Sequence, residues 1–452
     1  MTSLSAKKRN RGVAMIMAIV LMTLLMAVML VLFGSSRKDI TKTINQQSQF
    51  NARLAAESGM AFMRRHIEDC ELYSAPTVSE TLTGLYNFLL SDIGSVTRTT
   101  NTITVSSRTL PTGYFTARIA TDTTNEFKLT VTGTYGTTTR VITLGYNRDA
   151  GSRSPIFDYG FSSQGALRMT GVSTITGKND PSESKVFMAS GITDEIIKLM
   201  GTATIGGDVF SVNPDSYITD AGTNCSVGGA YGSAISDHLY NGVDNIPLPT
   251  IDITPFLSGV SFTSVTSSTN TSGVTLSNIQ VKAGTNPNFS GCTINGVIYI
   301  EAPNKVTFSG QSYITGVIVT QQGTSDSSSV ISFTGGGYIS SPENLPDTAA
   351  YSTVRSLPGT ALLAPGFSVK FTGNMSAMSG TMAADNFSFS GSGSMDVKGS
   401  IICYKDGEMV TITGSQTILI DKSGDQSTPP GFTGGTLTVL APKASSLTDI
   451  GS

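Results

Sequence analysis

The side chains that could support catalysis or metal binding are few and scattered. The chain has only two histidines, His66 and His238. Three aspartates, Asp208, Asp215 and Asp220, recur within one loop-rich stretch and could together hold calcium through carboxylate oxygens. Solvated loop acids explain the same spacing, and we favour that interpretation. We therefore predict no metal site and no cofactor.

The four cysteines, Cys70, Cys225, Cys292 and Cys403, are widely spaced along the chain. None forms a Cys-x-x-Cys pair, so a zinc site is not indicated. If the protein is exported, disulfides can form, and four cysteines allow three complete pairings. Buried free thiols within a β-sheet core are the alternative, and the sequence does not choose between them.

Enzymatic chemistry finds little support in the residue pattern. Glycan hydrolysis needs paired carboxyl groups on one face, and Asp421 and Asp425 near the C-terminus are better explained as loop acids. A hydrolase nucleophile elbow places its serine between a strand and a helix. Gly391-Ser392-Gly393 lies instead inside a predicted strand. We expect that the protein is not an enzyme.

The composition indicates an exported body that is rich in β-structure. The 452-residue chain has a net charge of −3 and 13% charged residues, so it lacks the basic stripe that nucleic-acid binding needs. It contains 48 glycines and no tryptophan. Its polar stretches carry scattered tyrosines that could bind a surface glycan or a protein ligand; these are Tyr217, Tyr231, Tyr240, Tyr313 and Tyr338.

An N-terminal helix must position everything that follows. Residues 13–33 are uncharged and apolar, long enough to cross a bilayer core of about 30 Å. Lys7, Lys8, Arg9 and Arg11 precede this run. They predict a single-pass inner-membrane protein with its N-terminus in the cytoplasm. A cleaved secretory signal is the poorer fit, because the run is long and Phe33-Gly34-Ser35 is a weak cleavage site; a plain signal anchor remains an alternative.

The helix is expected to continue beyond the membrane. Residues 36–67 contain no proline and one glycine, Gly59. Apolar and polar side chains alternate with helical periodicity, with Ile40, Ile44 and Phe62 on one face. A membrane helix that runs directly into an amphipathic one is a rod of about 75 Å, which is the shape of a type IV pilin stem.

Two short motifs resemble a known family. Residues 11–16 (Arg-Gly-Val-Ala-Met-Ile) are similar to the start of PilX-type minor pilins. The residues Ala52, Ala55, Ala56, Glu57 and Gly59 are similar to that family's second signature. The resemblance implies cleavage by prepilin peptidase between Gly12 and Val13, followed by methylation of the new amino terminus. It also implies other partners, namely the major and minor pilins of one filament and the inner-membrane pilus assembly platform.

The chain departs from the major-pilin pattern at two positions. Val13 replaces the usual Phe or Met, and Met17 stands where major pilins place a glutamate. In the family, that glutamate meets the amino terminus of a neighbouring subunit, and a buried carboxylate is costly unless it is paired. A rare subunit at the filament tip has less need of it. The residues expected to hold the helix in the membrane and pack it against neighbours are Ile16, Met17, Leu21, Leu25 and Phe33.

Two further parts follow the helix. Period-two alternation and hairpin-length turns predict an antiparallel β-meander at 100–148, preceded by a short second helix near 85–90. Beyond it, Phe-Ser/Thr-Gly motifs recur about every 18 to 25 residues from Phe289 onwards, with one double step between Gly335 and Gly373. Such a period is typical of a solenoid, and the absence of a helical or leucine-rich pattern favours a parallel β-helix. An irregular β-sandwich is the alternative, and residues 194–200 could form a short helix.

The predicted fold class is therefore a pilin-like α+β part, with a long membrane-spanning helix and an antiparallel meander, followed by a mainly β parallel β-helix domain. The predicted organisation is a basic prepilin-type leader (1–12), a transmembrane helix (13–33), an amphipathic stem helix with a short second helix (34–95), the meander (100–148), a linker (149–156), the β-helix (157–441) and a flexible tail (442–452).

This organisation predicts a minor pilin-like subunit of a type IV pilus or a related filament. It would prime assembly at the tip and display the solenoid for adhesion. A membrane-anchored glycan-active enzyme and a polymer-forming scaffold are the alternatives.

Overall fold

The computed structural model describes residues 11–73, 75, 77–122, 125–151, 153–191, 194–222, 224–323, 328–407, 409–424 and 427–451. Residues 1–10 of the predicted leader therefore lie outside the described part. The chain divides into two compact units. We call Met1–Asp149 with Thr438–Ser452 the head unit, and Ala150–Leu437 the solenoid unit.

The head unit begins with one uninterrupted helix, α1 (Arg11–Glu68), of 58 residues. The membrane segment and the stem are thus a single element, as the absence of proline predicts. Described side chains from 15 to 47 are exposed, and full burial begins at Ala52. A second helix, α2 (Val78–Ile93), is longer than expected because Thr77 and Glu80 form a capping box at its start. Gly94, in the left-handed conformation, ends it.

The head sheet contains the predicted antiparallel meander. Its strands are β1 (Leu72–Tyr73), β2 (Val96–Arg98), β3 (Thr102–Leu110), β4 (Gly113–Thr121), β5 (Glu126–Tyr135) and β6 (Thr138–Ala150). Strands β2 to β6 pair antiparallel in sequence order. Alternate residues of β4 and β5, such as Phe115 and Leu129, are buried in one core with the C-terminal part of α1 and with α2. The helices cover one face of the sheet.

The solenoid unit is built from short strands. They are β7 (Phe161–Ser163), β8 (Leu167–Gly171), β9 (Thr174–Gly177), β10 (Val186–Met188), β11 (Glu195–Gly201), β12 (Thr204–Ile205), β13 (Val209–Ser211), β14 (Tyr217–Asp220), β15 (Ser226–Val227), β16 (Ala230–Tyr231), β17 (Leu239–Asn241), β18 (Thr250–Ile251), β19 (Thr263–Val265), β20 (Thr275–Val281), β21 (Asn288–Ser290), β22 (Thr293–Ile300), β23 (Lys305–Ser309), β24 (Gln311–Thr320), β25 (Val330–Phe333), β26 (Gly336–Ser340), β27 (Thr360–Phe371), β28 (Met375–Met378), β29 (Thr381–Lys398), β30 (Ile401–Cys403), β31 (Val410–Asp421) and β32 (Phe432–Thr433).

Short helices interrupt these strands. Two are single-turn α-helices, α3 (Thr254–Leu257) and α4 (Ser352–Arg355), and four are 3-10 turns at Pro155–Asp158, Pro181–Ser184, Gly232–His238 and Pro342–Asn344. Among the described strands of this unit, all pairings are parallel except β15 with β16 and β18 with β32. The predicted parallel β-helix is confirmed, and the β-sandwich alternative is wrong. Residues 194–200 belong to strand β11 rather than to a helix.

The repeated Phe-Ser/Thr-Gly motif forms an aligned stack. Its buried phenylalanines face one another on successive rungs, with ring centroids 4.9 to 5.3 Å apart; they are Phe289, Phe308, Phe333, Phe371 and Phe389. This distance is close to the strand spacing of a sheet, about 4.8 Å. Close approach requires glycine at some of the motif positions: a Cβ on Gly335 would lie 1.9 Å from the carbonyl oxygen of Gly310. At Gly291 nothing lies within 4 Å of a Cβ, and a positive φ of 62° favours glycine there instead.

The rungs do not stack in simple chain order. The first rung, β7 to β9, pairs with β10 to β12 on one side and with the last rung, β30 and β31, on the other. Phe161 accordingly lies between Val186 and Ile401. The chain therefore enters the stack at a central rung, and it leaves the stack from the rung directly beside that one. Residues 242–262 cross from β17 to β19, which explains why prolines interrupt the repeat there.

The C-terminal segment is a strand and not a flexible tail. Strand β33 (Leu437–Gly451) lies between β1 and β6 in the head sheet. Thr143 Oγ1 is 2.6 Å from Thr448 Oγ1, and the Gly145 amide donates to Ser446 Oγ at 2.7 Å. The flexible tail predicted at 442–452 is therefore wrong for 442–451. The predicted linker at 149–156 is also shorter, since β6 reaches Ala150 and a 3-10 turn begins at Pro155.

Candidate functional site in the stem and the solenoid

The expected processing site lies at the start of α1. Gly12 and Val13 belong to the first turn of the helix, which begins at Arg11. The described backbone is helical at both positions, so a protease that binds extended chain would have to unwind this turn. Cleavage between Gly12 and Val13 stays a prediction.

The apolar half of α1 is exposed along its length. Exposed fractions are 65% for Ile16, 71% for Met17, 62% for Leu21, 52% for Leu25 and 68% for Phe33. In water such a surface would be unfavourable. Within the described residues, α1 is the one helix long and apolar enough to span a membrane, with a mean hydropathy of 3.0 over its most apolar window. This helix fits a single-pass membrane anchor.

The second family signature lies at the contact between the stem and the sheet. Ala52, Ala55 and Ala56 are fully buried. On the sheet side, a Cβ on Gly133 would lie 2.2 Å from the Ala56 amide nitrogen and 2.3 Å from the Ala52 carbonyl oxygen. On the helix side, a Cβ on Gly59 would collide with the Phe115 ring at 2.5 Å. Small residues on both elements therefore let the helix backbone reach the sheet.

Glu57, the charged member of the signature, faces away from this contact. Its carboxylate accepts from Arg53 Nε at 2.8 Å, and both side chains are about half exposed. The same arginine lies 3.6 Å from Asp449 of strand β33. Exposed pairs of this kind contribute little to stability. A neutral residue in place of Glu57 would therefore change the stability of the isolated chain little.

Between the membrane segment and the signature, α1 carries apolar side chains that no other described residue of the chain covers. Ile40, Ile44 and Phe50 are 56%, 57% and 65% exposed. The predicted apolar face is thus buried only in its lower part, from Ala52 onwards. The part of α1 between the membrane segment and Ala52 therefore presents an exposed apolar surface along its side.

The acidic candidates of the solenoid do not form a metal site. Asp208 pairs with His238, with 2.7 Å between Oδ1 and Nδ1. The backbone amide of Asp215 donates to Asn213 Oδ1 at 2.9 Å, and Asp220 Oδ1 accepts from the Gly222 amide at 3.2 Å. Within the described residues no three potential ligands lie close enough to hold a metal ion. Asp425 lies outside the described part of the chain.

All four cysteines are buried, and the structure joins none of them in a disulfide. Burial raises the pKa of the Cys70 thiol to about 12. Cys292 Sγ donates to the carbonyl of Thr271 at 3.0 Å, and Cys403 Sγ donates to that of Asp385 at 2.9 Å. Thiols enclosed in this way are chemically inert parts of the core.

The five candidate tyrosines are all exposed, between 38% and 61%. Only some are brought together: the rings of Tyr313 and Tyr338 lie 5.1 Å apart on adjacent rungs. Tyr240 stacks on Phe210 at 5.0 Å. The sequence pattern predicts their exposure but not these pairings, which depend on rung register.

Sequence reasoning missed a half-buried lysine, Lys422, at the junction of the first and last rungs. Lys422 Nζ donates to the carbonyl oxygens of Phe157 and Tyr159, at 3.0 and 2.8 Å, and to Ser400 Oγ at 2.5 Å. Loss of hydration lowers the pKa of Lys422 to about 7, and the nearby Arg153 guanidinium acts in the same direction. No local sequence signal marks this residue, because its partners are distant in the chain.

Comparisons with known proteins give a structural likeness to a pilin. No protein-family model matches the chain, and no curated protein matches it. Among solved structures, the chain is similar to the competence-associated pilin ComZ from Thermus thermophilus. The likeness covers 89% of this chain and 97% of that chain at 14% identity, with a TM-score of 0.23. The fold assignment rests on the strand pairings described above rather than on this likeness.

Proposed function

We propose that this protein is a minor pilin-like subunit that inserts α1 into a type IV pilus or a related type II secretion filament. The observation that carries the proposal is the construction of α1. One uninterrupted helix joins an exposed apolar half of membrane length to a lower part packed on an antiparallel sheet through small residues.

The uncovered stem surface supports the same role. Ile40, Ile44 and Phe50 are exposed in the part of the chain that the structure describes. Burying them against the helices of neighbouring subunits would gain favourable apolar burial. The partners proposed for this step are prepilin peptidase, the major and minor pilins of the filament and the inner-membrane assembly platform.

The proposed position is the filament tip, where the subunit would prime assembly and display its solenoid for adhesion. Met17 supports this position, because a subunit at the tip has no neighbour above it whose amino terminus needs a carboxylate partner. The solenoid supplies a large, weakly charged and hydroxyl-rich surface. Its ligand would be a surface glycan or a protein.

The decisive experiment is mass spectrometry of the mature N-terminus in cells with and without prepilin peptidase. We expect a methylated Val13 only when the peptidase is present. The variant Gly12→Leu should abolish processing. Gly34→Ala is the matched control, since nothing lies within 4 Å of a Cβ at that helical position. An intact Met1, or a terminus beyond Phe33, would refute the pilin assignment.

A further inference from the structure

One side of α1, just beyond its apolar run, carries only cationic and neutral polar side chains. Its members lie next to one another at helical spacing; they are Arg37, Lys38, Thr41, Lys42, Asn45 and Gln46. We call this set the juxtamembrane face. All six residues are exposed. The proposed function uses Ile40 and Ile44, which lie together outside this face, so the juxtamembrane face is left without a role.

The charge of this face is uncompensated. Among the described residues, none forms an ion pair with Arg37, Lys38 or Lys42. Asp39 is the only acidic residue between positions 34 and 52, and it groups with Ile40 outside the face. Three cations against one carboxylate give this segment a net charge of +2. The juxtamembrane face is therefore complementary to an anionic surface.

The face begins at the depth where the headgroups of a bilayer lie. The apolar run ends at Phe33. At 1.5 Å per residue, Arg37 lies about 6 Å further along the helix axis and Lys42 about 14 Å, whereas the headgroup region extends roughly 5–7 Å beyond the hydrocarbon core. Helical side chains point back towards the N-terminus, which is here the membrane end. All three charges therefore come within about one Debye length, ~8 Å, of the lipid phosphates.

The continuity of α1 fixes this depth. The membrane segment and the juxtamembrane face belong to one uninterrupted helix, Arg11–Glu68. When the apolar run spans the bilayer, the face has no hinge through which it could leave the surface. Long lysine and arginine side chains adapt to mobile phosphate groups because their charged ends stay in the polar layer while their stems lie along apolar surface.

We infer that the juxtamembrane face binds the phosphate headgroups of anionic lipids, in the leaflet at the Phe33 end of the membrane span. Each cation near an anionic surface strengthens such binding by a factor of about five, and Asp39 opposes it. The contact holds an unassembled subunit at a fixed depth while Ile40 and Ile44 stay accessible. The inference goes beyond the proposed function, because it requires only that α1 spans a membrane.

The test is native mass spectrometry of the full-length chain, purified in a non-ionic detergent and titrated with phosphatidylglycerol or phosphatidylcholine. We expect the parent chain to bind phosphatidylglycerol more tightly than phosphatidylcholine. The triple variant Arg37→Gln, Lys38→Gln and Lys42→Gln should lose at least tenfold in affinity for phosphatidylglycerol and little for phosphatidylcholine. Glutamine removes the charges and keeps a good helix former at each position. Asp39→Asn should bind phosphatidylglycerol more tightly than the parent.

The matched control removes three exposed cations that lie outside α1, by Lys128→Gln, Lys305→Gln and Lys370→Gln. It changes the net charge as much as the first triple variant does, but it leaves the juxtamembrane face intact. Its affinity for phosphatidylglycerol should equal that of the parent. The leader cations are the same in every protein and cancel from the comparison. Far-UV circular dichroism of each variant separates lost lipid binding from lost helix.

Five results would overturn the inference. They are equal binding of the two lipids by the parent, unchanged affinity in the first triple variant, an equal loss in the control triple variant, weaker binding by Asp39→Asn, and displacement of phosphatidylglycerol by an equal concentration of inorganic phosphate. The last result would assign the face to free phosphate instead of a lipid. The titration needs neither prepilin peptidase nor a filament, so its failure leaves the N-terminal processing test untouched.

Discussion

At the scale of single residues, the small side chains of the stem signature have a structural role within this chain. The helix backbone packs closely on β4 and β5 because the contact residues of the helix are small; they are Ala52, Ala55, Ala56 and Gly59. Gly133 is the small residue on the sheet side of the same contact. Within this chain the motif at residues 52–59 is therefore a packing motif. No Cβ fits at Gly59 or Gly133 without movement of the backbone or of an aromatic ring.

This contact predicts the effect of one added methyl group. Gly133→Ala should push α1 away from the sheet and lower the free energy of unfolding of the head by roughly 1–3 kcal/mol, as overpacking does. Hydrogen exchange measured by mass spectrometry should show faster exchange of the β5 amides. Gly34→Ala serves as a control with no steric conflict. Unchanged β5 protection in Gly133→Ala would show that the contact is looser than described.

Lys422 predicts a pH dependence of the solenoid's stability. Its pKa is lowered to about 7 in the folded state, against about 10.4 when unfolded. Between these values the unfolded chain binds a proton that the folded chain does not, so stability rises with pH. The slope should approach 1.4 kcal/mol per pH unit.

The measurement is denaturant unfolding followed by far-UV circular dichroism between pH 7 and 8.5, for the parent chain and Lys422→Met. The parent should gain stability relative to the variant across this window. Higher pH is avoided, because the pKa values of Cys70 and Tyr146 are raised to about 12 and act with the opposite sign. Parallel pH profiles in the two proteins would mean that Lys422 keeps its charge when folded.

At the scale of elements, β33 shows how a segment without a strand pattern becomes a strand. Its last residues are largely polar, and their alternation is not visible as a half-buried strand. The position is set by β6, through Thr143 and Gly145, and by an ion pair between Lys443 and Glu126 at 2.9 Å. Partner strands, rather than local hydrophobicity, decide this element.

We therefore predict that removing residues 442–452 destabilises the head. Without them β6 becomes an edge strand over most of its length, and exposed edges exchange and associate more readily. Hydrogen exchange should accelerate in β6 while the solenoid amides stay protected. Lys443→Ala is the control, because it removes only an exposed ion pair, worth about 0.5 kcal/mol or less. Unaltered exchange of β6 in the truncated chain would restore the flexible-tail interpretation.

At the scale of the whole molecule, the chain topology explains how one protein holds two units. The solenoid is an insertion between β6 and β33, which are neighbours in the head sheet. Its first and last rungs are also neighbours, because the chain enters the stack in the middle. Ends that lie close together are what makes an inserted domain tolerable. Within the solenoid, Lys178 follows the first rung, and its Nζ lies 2.7 Å from Oδ2 of Asp396 on β29. This ion pair joins the beginning of the solenoid chain to strands near its end.

The proposed tip position predicts a low abundance in the filament. Quantitative mass spectrometry of purified pili should find this subunit in a small fraction of the major pilin, since only the end of a filament offers the position. Met17→Glu, which supplies the carboxylate found in major pilins, should raise the incorporated amount. Near-stoichiometric abundance of the parent chain would exclude a tip role.

The sequence by itself determined the elements whose signals are local. The run at 13–33 and the proline-free stretch after it specify one long helix, the alternation within 100–148 specifies the meander, and the Phe-Ser/Thr-Gly period specifies stacked rungs. Only the tertiary structure decided the mid-stack start of the solenoid, the return of β33 to the head and the contacts of Lys422. Those features depend on contacts between residues that are far apart in the chain. Such contacts stabilise the fold without producing a periodic residue pattern in any single segment.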